Sequence, residues 1–192
     1  MQLLLASGSP RRAELLRQIG VSFTVLSAPD IDETPDRQEA PLDYVSRMAR
    51  EKAAAGAGNV TDAVVLGADT AVILDGRILG KPVDASHSLS MLEQLNGQTH
   101  QVISAVCIDA GGQQQVRTSI TDVRFRQLPP AMLQSYVATG EGADKAGGYG
   151  IQGLGAVLVA AINGSYSGVV GLPLEQTVIL LEGAGIPYWQ QL

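Results

Sequence analysis

Residues 63–82, AVVLGADTAVILDGRILGKP, carry the clearest indication of the fold class. The apolar run up to Leu66 predicts a strand, and a short break is followed by a second strand. The pair Asp75-Gly76 then predicts a tight turn into a third, shorter strand. Apolar runs of this length are typical of buried strands, and Asp-Gly between two of them indicates a β-hairpin. The stretch therefore predicts antiparallel pairing in this part of the chain.

Predicted helices and strands alternate on both sides of this stretch. Two long strands are predicted around Gly111-Gly112, and two shorter ones around Asn163-Gly164. Interleaved helices and strands indicate an α/β protein, whereas the hairpins require antiparallel strands. The sequence therefore predicts an elongated, mixed β-sheet flanked by helices. The other predicted strands are 2–7 and 21–28, and the predicted helices are 9–19, 41–57, 84–97, 129–140 and 172–185.

The composition is that of an ordinary globular protein. The 192 residues are 45% hydrophobic and 17% charged, which suffices for a substantial core. One domain is predicted over residues 1–192, with two lobes around a central cleft. Thirteen basic residues against 19 acidic ones give a net charge of −6, whereas a general nucleic-acid binder is usually basic. We therefore expect a small anionic ligand, met by a local basic cluster or a metal ion, rather than a nucleic acid.

The single cysteine, Cys107, excludes an intramolecular disulfide and a cysteine-based metal site. Its apolar surroundings, VISAVCIDA, predict a buried strand residue. The first residues, MQLLLASGSPRR, lack the features of a signal peptide, and no apolar stretch reaches the length of a membrane span. We therefore expect a cytoplasmic protein that does not associate with a membrane.

The segment SGSPRR, residues 7–12, predicts a helix start that carries an unusual charge. Ser9 suits the N-cap and Pro10 suits the first helical position. Arg11 and Arg12 follow, although the first turn of a helix carries partial positive charge and favours acidic residues. Free backbone N–H groups beside two guanidinium groups would suit a bound phosphate. The alternative is a pair of exposed arginines on a surface helix.

Carboxylates occur in two further motifs. LGADT places Asp69 and Thr70 after the predicted strand 63–66, where α/β sheets tend to bind ligands, and Asp69 could ligate a divalent cation or act as a general base. The alternative is a turn-forming aspartate. DIDET clusters Asp30, Asp32 and Glu33, which suits Mg²⁺ or Mn²⁺ but is also common in a solvated loop.

The remaining candidate binding elements are lysines and a glycine-rich loop. Lys81 lies in LGKP between a glycine and a proline, which suits a phosphate contact; the alternative is a lone surface lysine. Lys52 lies near the end of its helix, where the dipole already favours a cation. The loop DKAGGYGIQG, residues 144–153, could wrap a ligand, and Gln152 offers a donor and an acceptor to a nucleobase edge. His87 and His100 lack the spacing of metal ligands and are interpreted as structural or surface residues.

These elements, in this order, resemble the Maf family of nucleoside triphosphate pyrophosphatases. The resemblance extends over about residues 4–174 and is carried by LASGSPRR, an acidic residue after the second strand, REKA, LGADT, ILGKP, GQTH, DKAGGYGIQG and GSYSGVVGLPL. It implies an elongated α/β fold related to that of inosine triphosphate pyrophosphatases. It also implies hydrolysis of a nucleoside triphosphate to the monophosphate and pyrophosphate, with a divalent metal cation, Mg²⁺ or Mn²⁺.

The resemblance also implies roles for individual residues. The family's catalytic aspartate falls on Asp69, and its base-selecting positions fall on Arg12, Thr70 and Gln152. The motifs ADT and YGIQG are similar to those of the pyrimidine branch, which prefers dTTP and UTP, whereas the 7-methyl-GTP branch typically shows SDQ and a glutamate in place of the glutamine. Together with the residue chemistry, Glu33 and Asp69 are predicted to hold the metal. The predicted substrate-binding residues are Ser7, Arg11, Arg12, Lys52, Thr70, Lys81, Lys145 and Gln152.

Other functions stay open at this point. The chain could remove modified or non-pyrimidine nucleotides, or it could bind nucleotides as a regulator of cell division without significant turnover, since the family is linked to arrest of division. Asp69 and Glu33 count against a purely binding role, because carboxylates do not help to bind a tetra-anion unless a metal intervenes. A single-stranded nucleic-acid module is disfavoured by the acidic balance and by 4% aromatic residues. The resemblance also implies a homodimer; the apolar segment 167–174 is either part of its interface or core.

Overall fold

The computed structural model describes residues 1–28, 30–58, 60 and 62–190. The last two residues of the predicted domain, Gln191 and Leu192, lie outside this range. Seven strands are described: β1 (Gln2–Leu5), β2 (Phe23–Val25), β3 (Ala63–Leu74), β4 (Arg77–Leu79), β5 (Thr99–Ala110), β6 (Gln113–Phe125) and β7 (Val159–Asn163). Six α-helices accompany them: α1 (Pro10–Gln18), α2 (Pro41–Ala57), α3 (Ala85–Leu95), α4 (Pro130–Ala138), α5 (Tyr166–Val170) and α6 (Leu174–Gly183). Short 3-10 turns occur at Ala146–Gly148 and Leu154–Leu158.

The seven strands form one mixed sheet in the order β2-β1-β3-β5-β6-β7, with β4 paired to β3. Strand β1 is parallel to β2 and β3, and the other pairings are antiparallel. The predicted hairpins at Asp75-Gly76 and Gly111-Gly112 are confirmed. In the first of these turns both residues have positive φ, 49° for Asp75 and 75° for Gly76, which matches the right-handed twist of the strands. The predicted mixed sheet is therefore confirmed.

The predicted break after Leu66 is wrong, because β3 continues through it to Leu74. Its antiparallel ladder with β5 runs without interruption from Val64 to Ile73. Glycine in a strand often marks a place where another backbone approaches closely, and Gly67 has this role here. Without a Cβ atom it leaves room for helix α2.

The predicted strand after Asn163-Gly164 is also wrong, since this segment forms helix α5. The side chain of Ser165 caps the helix by accepting a hydrogen bond from the N–H of Gly168 at 3.0 Å. The Val169-Val170 pair suggested a strand because β-branched residues favour strands. The cap and the burial of Val170 in the core outweigh that propensity.

Helices cover both faces of the sheet, as predicted. Side chains alternate along β3, so that Val64, Leu66 and Ala68 face α1 and α6. Ala71 and Ile73 face α2 on the opposite side, where the predicted buried cysteine, Cys107, also lies. Helices α3 and α4 pack on the same face as α1, but near the other end of β3, against Val72 and Leu74. Thr70 therefore lies between two groups of helices, and Asp69 points to the side of α2.

Two further predictions are tested by the packing. Val170 and Leu172 of the segment 167–174 lie in the core, so this part of the segment is not available to a dimer interface. Among the residues that the structure describes, no helix has both the length and the apolar character that crossing a membrane requires.

Candidate active site

A cleft of about 1010 Å³ opens where strand β1 ends. β1 pairs with β3 only as far as Leu66, and the chain then turns away into α1. Residues 67–70 thus lie in the middle of β3 but at the carboxyl end of its neighbour β1, a position at which α/β sheets bind ligands. The predicted strand end at Leu66 was therefore wrong, although the location of the site is the expected one.

All of the predicted site residues line this one cleft. They are Ser7, Arg11, Arg12, Glu33, Lys52, Asp69, Thr70, Lys81, Lys145 and Gln152. Of the acidic DIDET cluster only Glu33 lies there. Asp30 and Asp32 are exposed, and Asp32 Oδ1 accepts the N–H of Thr34 at 2.9 Å, as in a solvated turn. For Asp30 and Asp32 the structure therefore matches the alternative, a solvated loop.

Lys52 joins the two carboxylates for which a metal role is predicted. Its Nζ lies 2.7 Å from Asp69 Oδ1 and 2.7 Å from Glu33 Oε1. Lys52 and Asp69 are both buried, whereas Glu33 is half exposed. Burial works against ionisation of Glu33, but the hydrogen bond and charge of Lys52 hold its pKa below the ordinary value. The three groups form a charge-assisted network in the wall of the cleft.

The donor set suits a hard divalent cation bound together with phosphate. Carboxylate oxygens are the ligands that Mg²⁺ and Mn²⁺ prefer, and Mg²⁺ commonly uses one or two of them plus substrate phosphates. In the described part of the chain, no group of three or more acidic, histidine or cysteine side chains is positioned as a complete metal site. Asp69 and Glu33 therefore fit a metal whose other ligands come from the substrate or from water.

Arg12 turns inward, and its guanidinium group is held by two hydrogen bonds. Its Nε donates to the carbonyl of Gly171 at 2.9 Å, and Nη1 donates to Ser7 Oγ at 3.0 Å. Burial lowers its pKa, while the charge of Asp69 works in the opposite direction. Ser7 Oγ also accepts the N–H of Ser9 at 3.2 Å. Ser9 occupies the predicted N-cap position, but its side chain makes no capping hydrogen bond.

Arg11 points in another direction, towards the glycine-rich loop. Its Nη1 lies 3.8 Å from Asp144 Oδ2, a long and partly exposed ion pair. Lys145 Nζ donates to the other oxygen of the same carboxyl group, Asp144 Oδ1, at 2.6 Å. It also donates to the carbonyl of Glu141. The two arginines thus line the cleft from different positions, and Arg11 keeps much of its hydrogen-bonding capacity for a ligand.

The glycine-rich loop is anchored by Glu141, which sequence reasoning did not single out. Its carboxylate accepts hydrogen bonds from Tyr136 Oη at 3.0 Å and from the N–H groups of Leu154 and Gly155 at 2.6 and 2.8 Å. Burial opposes ionisation, but these backbone donors keep the pKa of Glu141 below its ordinary value. Tyr136 Oη in turn accepts the N–H of Gly150 at 3.1 Å, so the loop is held on both sides of Gln152. The only sequence signal was a glutamate three residues before the loop.

Ser104 is the second residue that sequence reasoning missed. It lies opposite Thr70 in the ladder between β3 and β5, and the two hydroxyl oxygens are 2.7 Å apart. Ser104 Oγ also donates to the carbonyl of Gly168 at 2.7 Å. The side chain is buried beneath Thr70. Only the strand register reveals this pair, because 34 residues separate the two in sequence.

The charges of the cleft suit a polyanion accompanied by a cation. Five basic side chains line it, together with the carboxylates of Glu33, Asp69, Glu141 and Asp144. A nucleobase could contact Thr70, Arg12 and Gln152 between the two groups of helices. Phosphate groups could contact the lysines and Arg11. The arrangement can therefore hold an anionic ligand beside a carboxylate that is able to accept a proton.

Comparison with known proteins identifies close relatives. The family model described as "Maf-like protein" matches residues 2–184. A protein of Alcanivorax borkumensis named dTTP/UTP pyrophosphatase is 65% identical, and the alignment covers 99% of each chain. A protein of the same name from Aromatoleum aromaticum is 49% identical over 97% of each chain. Among solved structures, a nucleoside-triphosphatase / dITP/XTP pyrophosphatase from Mycobacterium abscessus is 17% identical over 96% of each chain, with a TM-score of 0.46.

Proposed function

This chain belongs to the Maf family, and we propose that it hydrolyses dTTP and UTP to the monophosphate and pyrophosphate. The observation that carries the proposal is the convergence of five basic side chains and the Asp69 carboxylate on one cleft. The relatives from Alcanivorax borkumensis and Aromatoleum aromaticum, which align over nearly the whole chain, are named for this activity. The substrate assignment also includes modified pyrimidine nucleotides that retain the same base edge.

Substrate phosphates are assigned to the basic side chains of the cleft. Arg11, Lys81 and Lys145 lie on three different segments that surround the opening. A guanidinium group can bind phosphate through two parallel hydrogen bonds, and lysine acts as a point charge. Arg12, Lys52 and Lys145 already bond to protein groups, so they contribute charge from fixed positions. Preorganised charge of this kind stabilises the transition state of phosphoryl transfer.

Asp69 is assigned as the proton acceptor. Lys52 occupies its Oδ1, which leaves lone pairs of the carboxylate for a water molecule. The water oxygen would attack the α-phosphorus, its proton would pass to Asp69, and the bond from the α-phosphorus to the bridging oxygen would break as pyrophosphate leaves. A divalent cation, Mg²⁺ or Mn²⁺, would be held by Asp69 and Glu33 and would neutralise phosphate charge when bound.

Base selection is assigned to Arg12, Thr70 and Gln152. The three residues lie on α1, on β3 and in the glycine-rich loop, which meet at the cleft. Sites that hydrogen-bond a substrate reject a wrong base strongly, because their own polar groups are left unpaired. The proposal retains the single two-lobed domain, the homodimer and the cytoplasmic location that were predicted from the sequence.

Pyrophosphate release from a panel of nucleotides tests the proposal. The panel comprises dTTP, UTP, CTP, GTP, 7-methyl-GTP and dITP, each with Mg²⁺ or Mn²⁺. We expect turnover of dTTP and UTP that falls by about 10²–10⁴-fold in Asp69→Asn. Asp75→Asn is the matched control, since Asp75 lies exposed in the β3–β4 turn with a positive φ that asparagine also tolerates.

Each of the other outcomes would overturn a stated part of the proposal. Turnover of purine nucleotides alone would contradict the assignment of base selection to Arg12, Thr70 and Gln152, but it would leave the proposed pyrophosphatase reaction standing. Binding of nucleotides without turnover would contradict the enzymatic assignment and favour a regulator. Full activity of Asp69→Asn would contradict the role of that carboxylate.

A further inference from the structure

The hydrogen bonds behind Thr70 determine which way its hydroxyl group points. Ser104 Oγ lies 2.7 Å from the carbonyl oxygen of Gly168, and a carbonyl oxygen only accepts. The single hydrogen of Ser104 is therefore directed at Gly168. Ser104 Oγ is also 2.7 Å from Thr70 Oγ1, so in that contact it must accept and Thr70 must donate. The reverse direction would leave two oxygen lone pairs facing one another at 2.7 Å, between Ser104 and Gly168.

Thr70 consequently has no hydrogen left for a ligand. A hydroxyl group has one hydrogen and two acceptor lone pairs, and the hydrogen of Thr70 is used beneath the floor of the cleft. Thr70 lines the cleft, whereas Ser104 is buried behind it. Thr70 Oγ1 also lies 3.4 Å from the carbonyl oxygen of Gly171, which is a second and more distant acceptor for the same hydrogen. Thr70 therefore offers only lone pairs to a bound base.

Arg12 presents the opposite polarity beside it. Its Nε and one hydrogen of Nη1 are used by Gly171 and Ser7, which leaves three of its five N–H donors. Gly171 is a shared neighbour that holds Arg12 next to Thr70. The wall of the cleft thus offers acceptors from Thr70 and donors from Arg12 at adjacent positions.

We propose that Ser104 is a positioning residue that locks the Thr70 hydroxyl as a hydrogen-bond acceptor and thereby selects uracil and thymine over cytosine. The inference rests on the proposed pyrophosphatase function and on base binding at Thr70. Uracil and thymine carry an N–H donor at N3 between two carbonyl acceptors, which complements Thr70 and Arg12. Cytosine has an unprotonated N3, which would face the lone pairs of Thr70. The buried serine therefore controls discrimination without touching the substrate.

Ser104→Ala tests the proposal through the ratio of kcat/KM for UTP to that for CTP. Removal of the acceptor frees the Thr70 hydroxyl to rotate and donate to N3 of cytosine. A hydrogen bond of this kind changes the ratio by about tenfold, so we expect the ratio to fall by that factor, with CTP turnover rising. Ser104→Thr keeps the hydroxyl group and should retain the wild-type ratio. Should Ser104→Ala fail to fold, Ser104→Cys fills the same space with a poor acceptor, and a lower ratio is expected there as well.

Ser119→Ala is the matched control. Ser119 lies opposite Ser104 in the β5–β6 ladder, one strand further from Thr70. It should leave the ratio unchanged. An unchanged ratio in both Ser104→Ala and Ser104→Cys would overturn the proposal, as would an equal loss of activity on both nucleotides. Wild-type turnover of UTP in the same assay keeps the proposed function separate: its absence would contradict that function rather than the role of Ser104.

Discussion

Lys52 Nζ lies 2.7 Å from Asp69 Oδ1, although 17 residues separate the two in sequence. The contact exists because helix α2 lies directly on strand β3 at Gly67. An added Cβ atom at Gly67 would come within 2.4 Å of the Ala53 nitrogen and 2.5 Å of the Ala49 carbonyl oxygen. The absence of a side chain two residues before Asp69 thus sets the distance between the proposed base and its buried cation.

Gly67→Ala should therefore affect both stability and activity. The new methyl group would meet helix backbone, which cannot move aside as a flexible side chain can, and overpacking of this kind costs about 1–3 kcal/mol of unfolding free energy. Displacement of α2 would also move Lys52 away from Asp69. Urea unfolding and pyrophosphate release measure the two effects.

The matched control is Gly183→Ala, at the exposed end of α6, where an added Cβ meets no atom within 4 Å. This variant should be as stable as the wild type or slightly more so, because alanine favours the helix. A Gly67→Ala protein with wild-type stability would show that α2 does not press on β3 as described.

Replacement of Arg12 by lysine should lower kcat/KM for UTP by roughly 10–100-fold. Lysine cannot reproduce the planar group that bonds to Gly171 and Ser7 at once, and a hydrogen bond to a charged group contributes about 1.5–3 kcal/mol. Steady-state kinetics with UTP measures the change. Arg17→Lys, in the last turn of the same helix, is the control and should retain activity. Equal kinetics of the two variants would contradict the role given to Arg12.

Glu141→Gln should loosen the loop that carries Gln152. The amide group of glutamine would direct a donor at one of the three donors that now bond to the carboxylate. We expect the unfolding free energy to fall by about 1–3 kcal/mol. The KM for UTP should rise, with a smaller change in kcat. Hydrogen exchange in residues 150–155 should become faster.

The control for this variant is Glu182→Gln, because Glu182 accepts one hydrogen bond, from Tyr188 Oη at 2.7 Å, on an exposed surface. It should leave both KM and exchange in the loop unchanged. Unaltered exchange in Glu141→Gln would mean that the loop is held by its other contacts alone.

His100 should make the protein less stable in mild acid. Burial lowers its pKa from 6.5 to about 4, and its Nε2 lies 2.8 Å from Tyr149 Oη. Between these pH values the unfolded chain binds a proton that the folded protein excludes. The unfolding free energy should thus fall as the pH decreases from about 6.5 to about 4, by at most about 3.5 kcal/mol, and this contribution should level off below that range.

Urea unfolding at a series of pH values, for the wild type and for His100→Gln, isolates this contribution. As the pH falls through that interval, the unfolding free energy of the wild type should decrease more than that of His100→Gln. Parallel stability curves would contradict the lowered pKa of His100. The structural interpretation of His100 then follows from its burial against Phe125 and Tyr149.

The features that the sequence predicted correctly are those set by residues close together in the chain. Helix α1 was located by Pro10 and by apolar spacing, and the β3–β4 turn by Asp75-Gly76, because these preferences act within a few residues. Helix α5 was missed because its cap at Ser165 competes with the strand preference of two valines, and only packing decided between them. Ser104 and Glu141 were missed because each acts on residues brought close by the fold.

The sequence by itself determined the alternation of helices and strands, the hairpins at Asp75-Gly76 and Gly111-Gly112 and, through the resemblance, most of the charged residues that line the cleft. Tertiary structure alone decided that Asp69 lies within a continuous strand, that Lys52 bridges it to Glu33, and that Ser104 lies behind Thr70. The physical reason is that turn and capping preferences are local, whereas strand register and the contact of α2 with β3 depend on partners 17 or more residues away. The direction of the Thr70 hydroxyl hydrogen, and with it the proposed selection of the base, likewise depends on such distant partners.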